Sequence, residues 1–281
     1  GTGMDTYLEK YHIPAVDYSE GVKTAYPQGV QAKEFILPKE LLEQDCVISL
    51  SKMKTHALER ITGAVKNSYG FVYGFHKAKG HTQYPSADSF ARMLIDLNKC
   101  VAPKLYVMDG IVAMEGNGPG SGDPVPMNVL LMSTDPVALD SVFSRLVYLK
   151  PEMVPTNYHG EKMGLGTWKE EEITLLIPDG EISMAEAVKK YGNPAFNVDR
   201  TEVRKNIWTR MAGALNIFQK KPYIEADKCV RCGICVQSCP VPGKAVDFRK
   251  GKGKPPVYDY RKCIRCFCCQ EMCPKKAIKV K

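Results

Sequence analysis

Eight cysteines fall into two copies of one spacing, and that repetition restricts the C-terminal part of this 281-residue chain more than any other feature. The first copy is Cys229-x2-Cys232-x2-Cys235-x3-Cys239-Pro240; the second is Cys263-x2-Cys266-x2-Cys269-x3-Cys273-Pro274. Thiols three apart are poor disulfide partners for each other. Structural zinc, usually held by two separated C-x2-C pairs, leaves the third and fourth cysteines of each run unexplained. Chance does not set eight cysteines in two matching registers.

The spacing has a geometric reason. Three cysteines, each three residues after the last, fit a loop that curls around one iron–sulfur cubane. The fourth, after a short helical turn, points to a second cubane. That exchange assigns Cys229, Cys232, Cys235 and Cys273 to one 4Fe–4S cluster, and Cys263, Cys266, Cys269 and Cys239 to the other. Pro240 and Pro274 turn the chain out of the ligand helix. Cys268 stands outside the register, aligned with Ile234, and is expected to pack as a small apolar side chain. "PYIEAD" and "PPVYDY" lead into the ligand loops, while "KAVDF" and "KAIKV" leave them. Residues 222–281 therefore read as a small α+β domain with two pseudo-symmetric cluster-binding halves, and they resemble the bacterial two-cluster ferredoxin module. Two departures separate the halves: the first has two extra residues after its Cys-Pro, and Phe267 stands where the first half has Gly233.

Charge divides the chain at the same place. Residues 222–281 hold 14 Lys and Arg against 5 Asp and Glu, whereas residues 1–221 hold 25 against 26. A boundary is therefore expected near Lys221–Pro222, with residues 1–200 as a larger domain and 201–221 as a connecting helix. In "TEVRKNIWTRMAGALNIF" the apolar Val203, Ile207, Met211, Leu215 and Phe218 recur at helical spacing. Two cubanes of about −2 each leave the tail's +9 at roughly +5, which suits an acidic redox protein as partner. Nucleic acid is not expected, because the basic residues do not alternate with aromatics. No apolar run approaches the roughly 18 residues that a membrane span needs. The chain opens GTGMDTYLEK, without Met at position 1, and reads as a fragment or as carrying a vector remnant. Free thiols and oxygen-sensitive clusters suit the cytoplasm of an anaerobe.

Upstream, apolar runs "CVISL" (46–50), "KLYVMD" (104–109), "NVLLMS" (128–133) and "ITLLI" (173–177) alternate with helical patterns. In "SADSFARMLIDLNKCV" Phe90, Met93, Leu94 and Leu97 share a face. "TDPVALDSVFSRLVYL" offers Thr134 or Asp135 as N-cap, Pro136 in the first turn, and Val142, Phe143, Leu146 and Val147 as its apolar side. Ser183 and Glu186 make a capping box. The alternation predicts an α/β domain, a mostly parallel sheet with helices on both faces.

Two loops that leave strands carry chemistry. Residues 51–81 gather Lys52, Lys54, Lys66, Lys77 and Lys79 with His56, His76 and His81 around a lone Glu59, a pattern that suits a carboxylate or phosphate ligand. They contain no P-loop. Residues 109–124, "DGIVAMEGNGPGSGDP", hold five glycines and two prolines, with Asp109 and Glu115 able to orient a lysine, hold a metal or act as acid and base. The candidate catalytic set is Lys54, His56, Lys66, Asn67, His81, Asp109 and Glu115.

"LSKMKTHALERITGAVKNSYG", "MDGIVAMEGNGPGSGDP" and "STDPVALDSV" resemble the uncharacterised family known as domain of unknown function 362. Its members often carry a C-terminal two-cluster ferredoxin and usually begin with a further α/β segment, so part of a site can lie upstream of this chain. The resemblance implies no reaction. The expectation is an iron–sulfur redox protein, an oxidoreductase if it is an enzyme, whose ferredoxin module exchanges electrons with an anionic small molecule on the α/β domain. A carrier whose large domain docks a protein partner, and clusters of structural or sensory role, stand as alternatives.

Overall fold

A computed structural model describes residues 4–74, 76–202, 221–249 and 251–280. The connecting helix expected at 201–221 falls almost wholly outside them. In chain order the elements are α1 (Met4–Lys10), β1 (Gly21–Ala25), β2 (Glu34–Pro38), α2 (Lys39–Leu42), β3 (Ile48–His56), β4 (Arg60–Thr62), α3 (Ala64–Asn67), α4 (His76–Gln83), α5 (Ala87–Val101), β5 (Leu105–Glu115) and β6 (Asp123–Ser133). There follow α6 (Pro136–Leu146), α7 (Pro155–Lys162), β7 (Leu175–Ile177), β8 (Gly180–Ile182), α8 (Met184–Tyr191), β9 (Pro222–Ile224), α9 (Ile234–Gln237), β10 (Val246–Asp247), β11 (Val257–Tyr258), α10 (Cys268–Glu271) and β12 (Ile278–Val280).

The central sheet has the order β4-β3-β5-β6. Only β3 and β5 run parallel, from Ile48 opposite Leu105 to Lys52 opposite Asp109. β4 returns antiparallel along β3, and β6 returns antiparallel along β5 from Glu115–Asp123 to Tyr106–Ser133. The sheet is therefore mixed rather than mostly parallel. The reason is that residues 51–56 and 109–115 are not loops: they extend β3 and β5, and each strand then turns back as a hairpin. Ser51, Met53 and Thr55 are buried and alternate with Lys52 and Lys54, the period of two that a strand requires.

The inner face carries Met53, Ile61, Met108 and Val129 against Phe143, Leu146 and Phe196. α3, α6 and α8 touch the sheet, and α5 and α7 pack behind them. α5 starts at its Ser86 cap and buries Phe90, Met93, Leu94 and Leu97 as its spacing predicts. α6 is capped by Asp135, whose Oδ1 accepts from Val137 N at 2.8 Å and Ala138 N at 2.9 Å, with Pro136 in the first turn. The Ser183–Glu186 capping box forms as read. Helices on both faces were expected; among the described residues they cover one. The outer face leaves Leu50 72%, Met132 62%, Ile48 53% and Leu130 53% exposed.

The last sixty residues form two antiparallel ribbons, β9 with β12 and β10 with β11, around the short helices α9 and α10. Cys235, Cys239, Ala245, Val246, Cys269 and Ile278 share the small core between them.

Candidate iron–sulfur and interdomain site

The cysteines separate into two cavities. Cys229, Cys232, Cys235 and Cys273 line the first, with Ile224 and Ile278. Cys239, Cys263, Cys266 and Cys269 line the second, with Val246 and Tyr258. Local geometry repeats between the halves. Arg231 and Arg265 are both left-handed, at φ 59° and 57°, as are Gly233 and Phe267, at 80° and 60°. Glycine accepts that backbone freely; a phenylalanine holds it only where packing compensates, and Phe267 is 4% exposed. Ala245 N donates to Cys239 Sγ at 3.3 Å, and Ala277 N donates to Cys273 Sγ at 3.3 Å. Amide donors of this kind favour sulfur that carries negative charge.

This donor set fits cubanes better than single ions. A mononuclear metal needs its ligands within about 2.3 Å of one point, and among the described residues no three His, Cys, Asp or Glu are so gathered. Four thiols around an apolar cavity, with amides aimed at sulfur, match a cluster that binds through its irons and fills the space between them. Cys268 is buried yet absent from the walls of both cavities, and it opens α10 as Ile234 opens α9.

α10 also meets the sheet. Glu271, between Cys269 and Cys273, is hydrogen-bonded to His56 at the end of β3, Nε2 to Oε1 at 3.2 Å. His56 Nδ1 accepts from Leu58 N at 3.2 Å and Glu59 N at 3.1 Å, so the ring's proton belongs on Nε2, donated to Glu271. Burial, then the Lys66 charge, lowers the His56 pKa to about 4, so the imidazole is neutral at ordinary pH. Burial alone would push the Glu271 carboxyl up, but the His56 bond and the Lys66 charge hold it at about 2. Burial drives the His81 pKa to about 4 as well; its ring stacks on Phe90 at 4.6 Å, and its Nδ1 has no partner. Lys54 is lowered by burial and then by Lys66.

Four of the seven sequence-read candidates, Lys54, His56, Lys66 and His81, thus share one electrostatic neighbourhood, and the anion within it is the chain's own Glu271. The other three stand apart. Asn67 Nδ2 donates to Leu50 O at 3.1 Å, a bond that ties α3 to β3. Asp109 pairs with Lys52 on the outer face. Glu115 Oε2 accepts from Asn197 N at 2.8 Å, at the end of β5.

Next to Glu271, the buried Gln270 Nε2 donates to Asn117 Oδ1 at 2.7 Å and to Gly118 O at 2.9 Å. Asn117 Nδ2 donates in turn to Ile278 O at 3.1 Å, and Lys276 Nζ to Gly122 O at 3.0 Å. Gly120 admits this approach, since a Cβ there would lie 3.0 Å from Glu271 O, while Gly118 lets the turn close on the end of β3, where a Cβ would lie 2.0 Å from Thr55 O. The glycine-rich turn is a cradle for α10 rather than for a free ligand. Beside it opens a cleft of about 470 Å³, with His56, Arg60, Asn117 and Asn197 on one wall and Tyr223 and Lys279 on the other.

Two further residues escaped the sequence reading. Glu59 is fully buried, both carboxyl oxygens lack a partner, and burial raises its pKa well above the ordinary value. Tyr69 stands edge-on to both the His81 and Phe90 rings, and burial, then the neighbouring Cys268 and Glu271, raises its pKa. The lone acid in a basic stretch was a visible signal for Glu59; Glu271 had none, since its partner lies 215 residues away.

Comparison with known proteins places both parts. Residues 221–274 match a 4Fe-4S dicluster domain, and residues 1–145 match Domain of unknown function (DUF362). The Thylakoid-associated protein sll1697 of Synechocystis sp. (strain ATCC 27184 / PCC 6803 / Kazusa) is 42% identical over 160 residues, which cover 56% of this chain and 49% of that protein. The chain therefore spans about half the length of that relative. No solved structure matches. Among the described residues no helix is long and apolar enough to cross a membrane. The match over the first 145 residues, with a 4Fe–4S-binding segment behind it, makes the chain a member of the domain of unknown function 362 family.

Proposed function

We propose that this is a two-cluster redox protein in which a ferredoxin-like module, residues 222–281, passes electrons to or from an anionic small molecule held on the α/β domain of residues 1–200. Cys229, Cys232, Cys235 and Cys273 hold one 4Fe–4S cluster; Cys239, Cys263, Cys266 and Cys269 hold the other. The observation that carries this reading is the Glu271–His56 contact, which seats the ligand helix of the second cavity among Lys54, Lys66 and His81. A cluster in that cavity lies against the one part of the sheet where cationic and imidazole groups converge. The open cleft beside His56, with Arg60 and Lys279 on its walls, is the seat for the ligand. A reducing compartment such as the cytoplasm of an anaerobe suits such clusters.

The test uses the cluster-loaded full chain. Once its visible absorbance has been bleached by a one-electron reductant, small carboxylates and phosphate esters that carry a reducible group, such as a carbonyl or a conjugated double bond, are added in turn. At least one is expected to restore the absorbance, and Lys54→Ala or Lys66→Ala to slow it. Reversible clusters that no anion reoxidises would remove the small-molecule claim and leave a carrier that docks a protein.

A further inference from the structure

The two cysteine cavities match in chain path and differ in exposure. In the second half Arg265 and Cys266 are each 8% exposed, and that half is fastened to the sheet through Gln270 and Glu271. In the first half the equivalent Arg231 and Cys232 lie at the surface, and Val230 is 54% exposed. Arg231 Nη1 donates to Gly253 O at 2.8 Å, which draws the exposed turn holding Lys252 and Lys254 against the first ligand loop. Pro256, just beyond that turn, lines the first cavity, as Pro274 and Lys275 do.

The mouth of the first cavity thus has an apolar centre and a basic rim. Lys252, Lys254 and Lys275 make no ion pair among the described residues. Asp227 is the opposing carboxylate on the same stretch, since Glu225 is already paired with Lys228 at 2.7 Å. An apolar centre inside a polar rim is the anatomy of a protein-docking patch, and a one-sign rim steers a partner of the opposite sign. In the second half the ligand helix α10 faces the sheet, and Arg265 and Cys266 are withdrawn from solvent with it.

We infer that the mouth of the first cavity, rimmed by Arg231, Lys252, Lys254 and Lys275, is the docking port for an acidic electron-carrier protein. The inference rests on the electron-transfer reading above and adds a direction to it: one half of the module faces a protein in solution while the other faces the α/β site.

The probe is a flavodoxin, a small acidic one-electron carrier, whose equilibrium association with the cluster-loaded full chain is measured at several salt concentrations. Lys252→Glu, Lys254→Glu and Lys275→Glu together reverse the rim while sparing Arg231, which has a structural bond. Lys104→Glu, Lys189→Glu and Lys190→Glu make the same charge change on the α/β domain. Wild type is expected to bind more weakly as salt rises, and the rim variant to bind at least about tenfold more weakly than wild type. The control is expected to stay within about twofold of wild type. Equal loss in both variants, a flat salt response, or no association overturns the port. Iron content and reduction by a viologen radical are read on the same samples. If those fail, the electron-transfer reading falls; if they hold while the charge response is flat, only the port does.

Discussion

At the scale of single residues the cysteines carry the chemistry unequally. Cys268 is buried beside Cys266 but lines neither cavity, whereas Cys269 lines the second and receives the Tyr258 hydroxyl at 3.1 Å. Cys268→Ser should keep the wild-type iron content, and Cys269→Ser should lose iron; an iron assay on anaerobically purified protein decides it. Glu59 gives a different residue-level prediction. Its burial raises the carboxyl pKa well above the ordinary value in the folded state, while the unfolded chain releases that proton above about pH 4.3. The folded state therefore binds more protons, and stability falls as pH rises through that region. Glu59→Gln keeps the shape without the titration. The decline in Tm between about pH 5 and 8 should flatten, as thermal unfolding would record. The grouping of the cysteines into two sets of four was legible because spacing alone encodes it. The seat of Glu271 was not, because a surface-type residue became half of a long-range pair only when the two parts of the chain met.

Elements were read best where a local rule suffices. The caps at Asp135 and Ser183 and the apolar faces of α5 and α6 follow from short-range hydrogen bonding and a period of 3.6. The basic stretch was misread as loop because lysines alternating with Ser51, Met53 and Thr55 look irregular until one face of a strand is open to solvent. The glycine-rich turn was taken for a ligand loop, and its glycines do allow close approach, but of α10. Gln270→Ala would leave the Asn117 and Gly118 acceptors unpaired at a cost of about 1–3 kcal/mol. Faster amide exchange across residues 116–122, at unchanged iron content, is the expected signature; unchanged exchange would mean that the latch is held elsewhere.

For the whole molecule, alternation of strands and helices indicated a sheet packed against helices but not the direction of every strand. Two hairpin returns turned a parallel expectation into a mixed sheet, and a strand's partner is a tertiary fact that no local pattern supplies. The outer sheet face makes a further prediction. Leu50 and Met132 stand on it largely in solvent, so Leu50→Lys with Met132→Lys should change Tm little while lowering self-association, as light scattering would show.

The unequal exposure of the two cavities also sets an order of decay. Oxidation of a cysteine follows its thiolate character and exposure, and Cys232 is at the surface where Cys266 is not. On the proposed two-cluster reading, controlled air exposure should therefore strip iron from the first cavity before the second, passing through a state with about half the original iron. In that state the port is dark while the inner site keeps its cofactor. Protection of Cys263, Cys266 and Cys269 from alkylation, at the moment when Cys229 and Cys232 have become reactive, would mark it. The module would then age from the outside inward, disconnecting itself from its partner before it loses contact with its own α/β site.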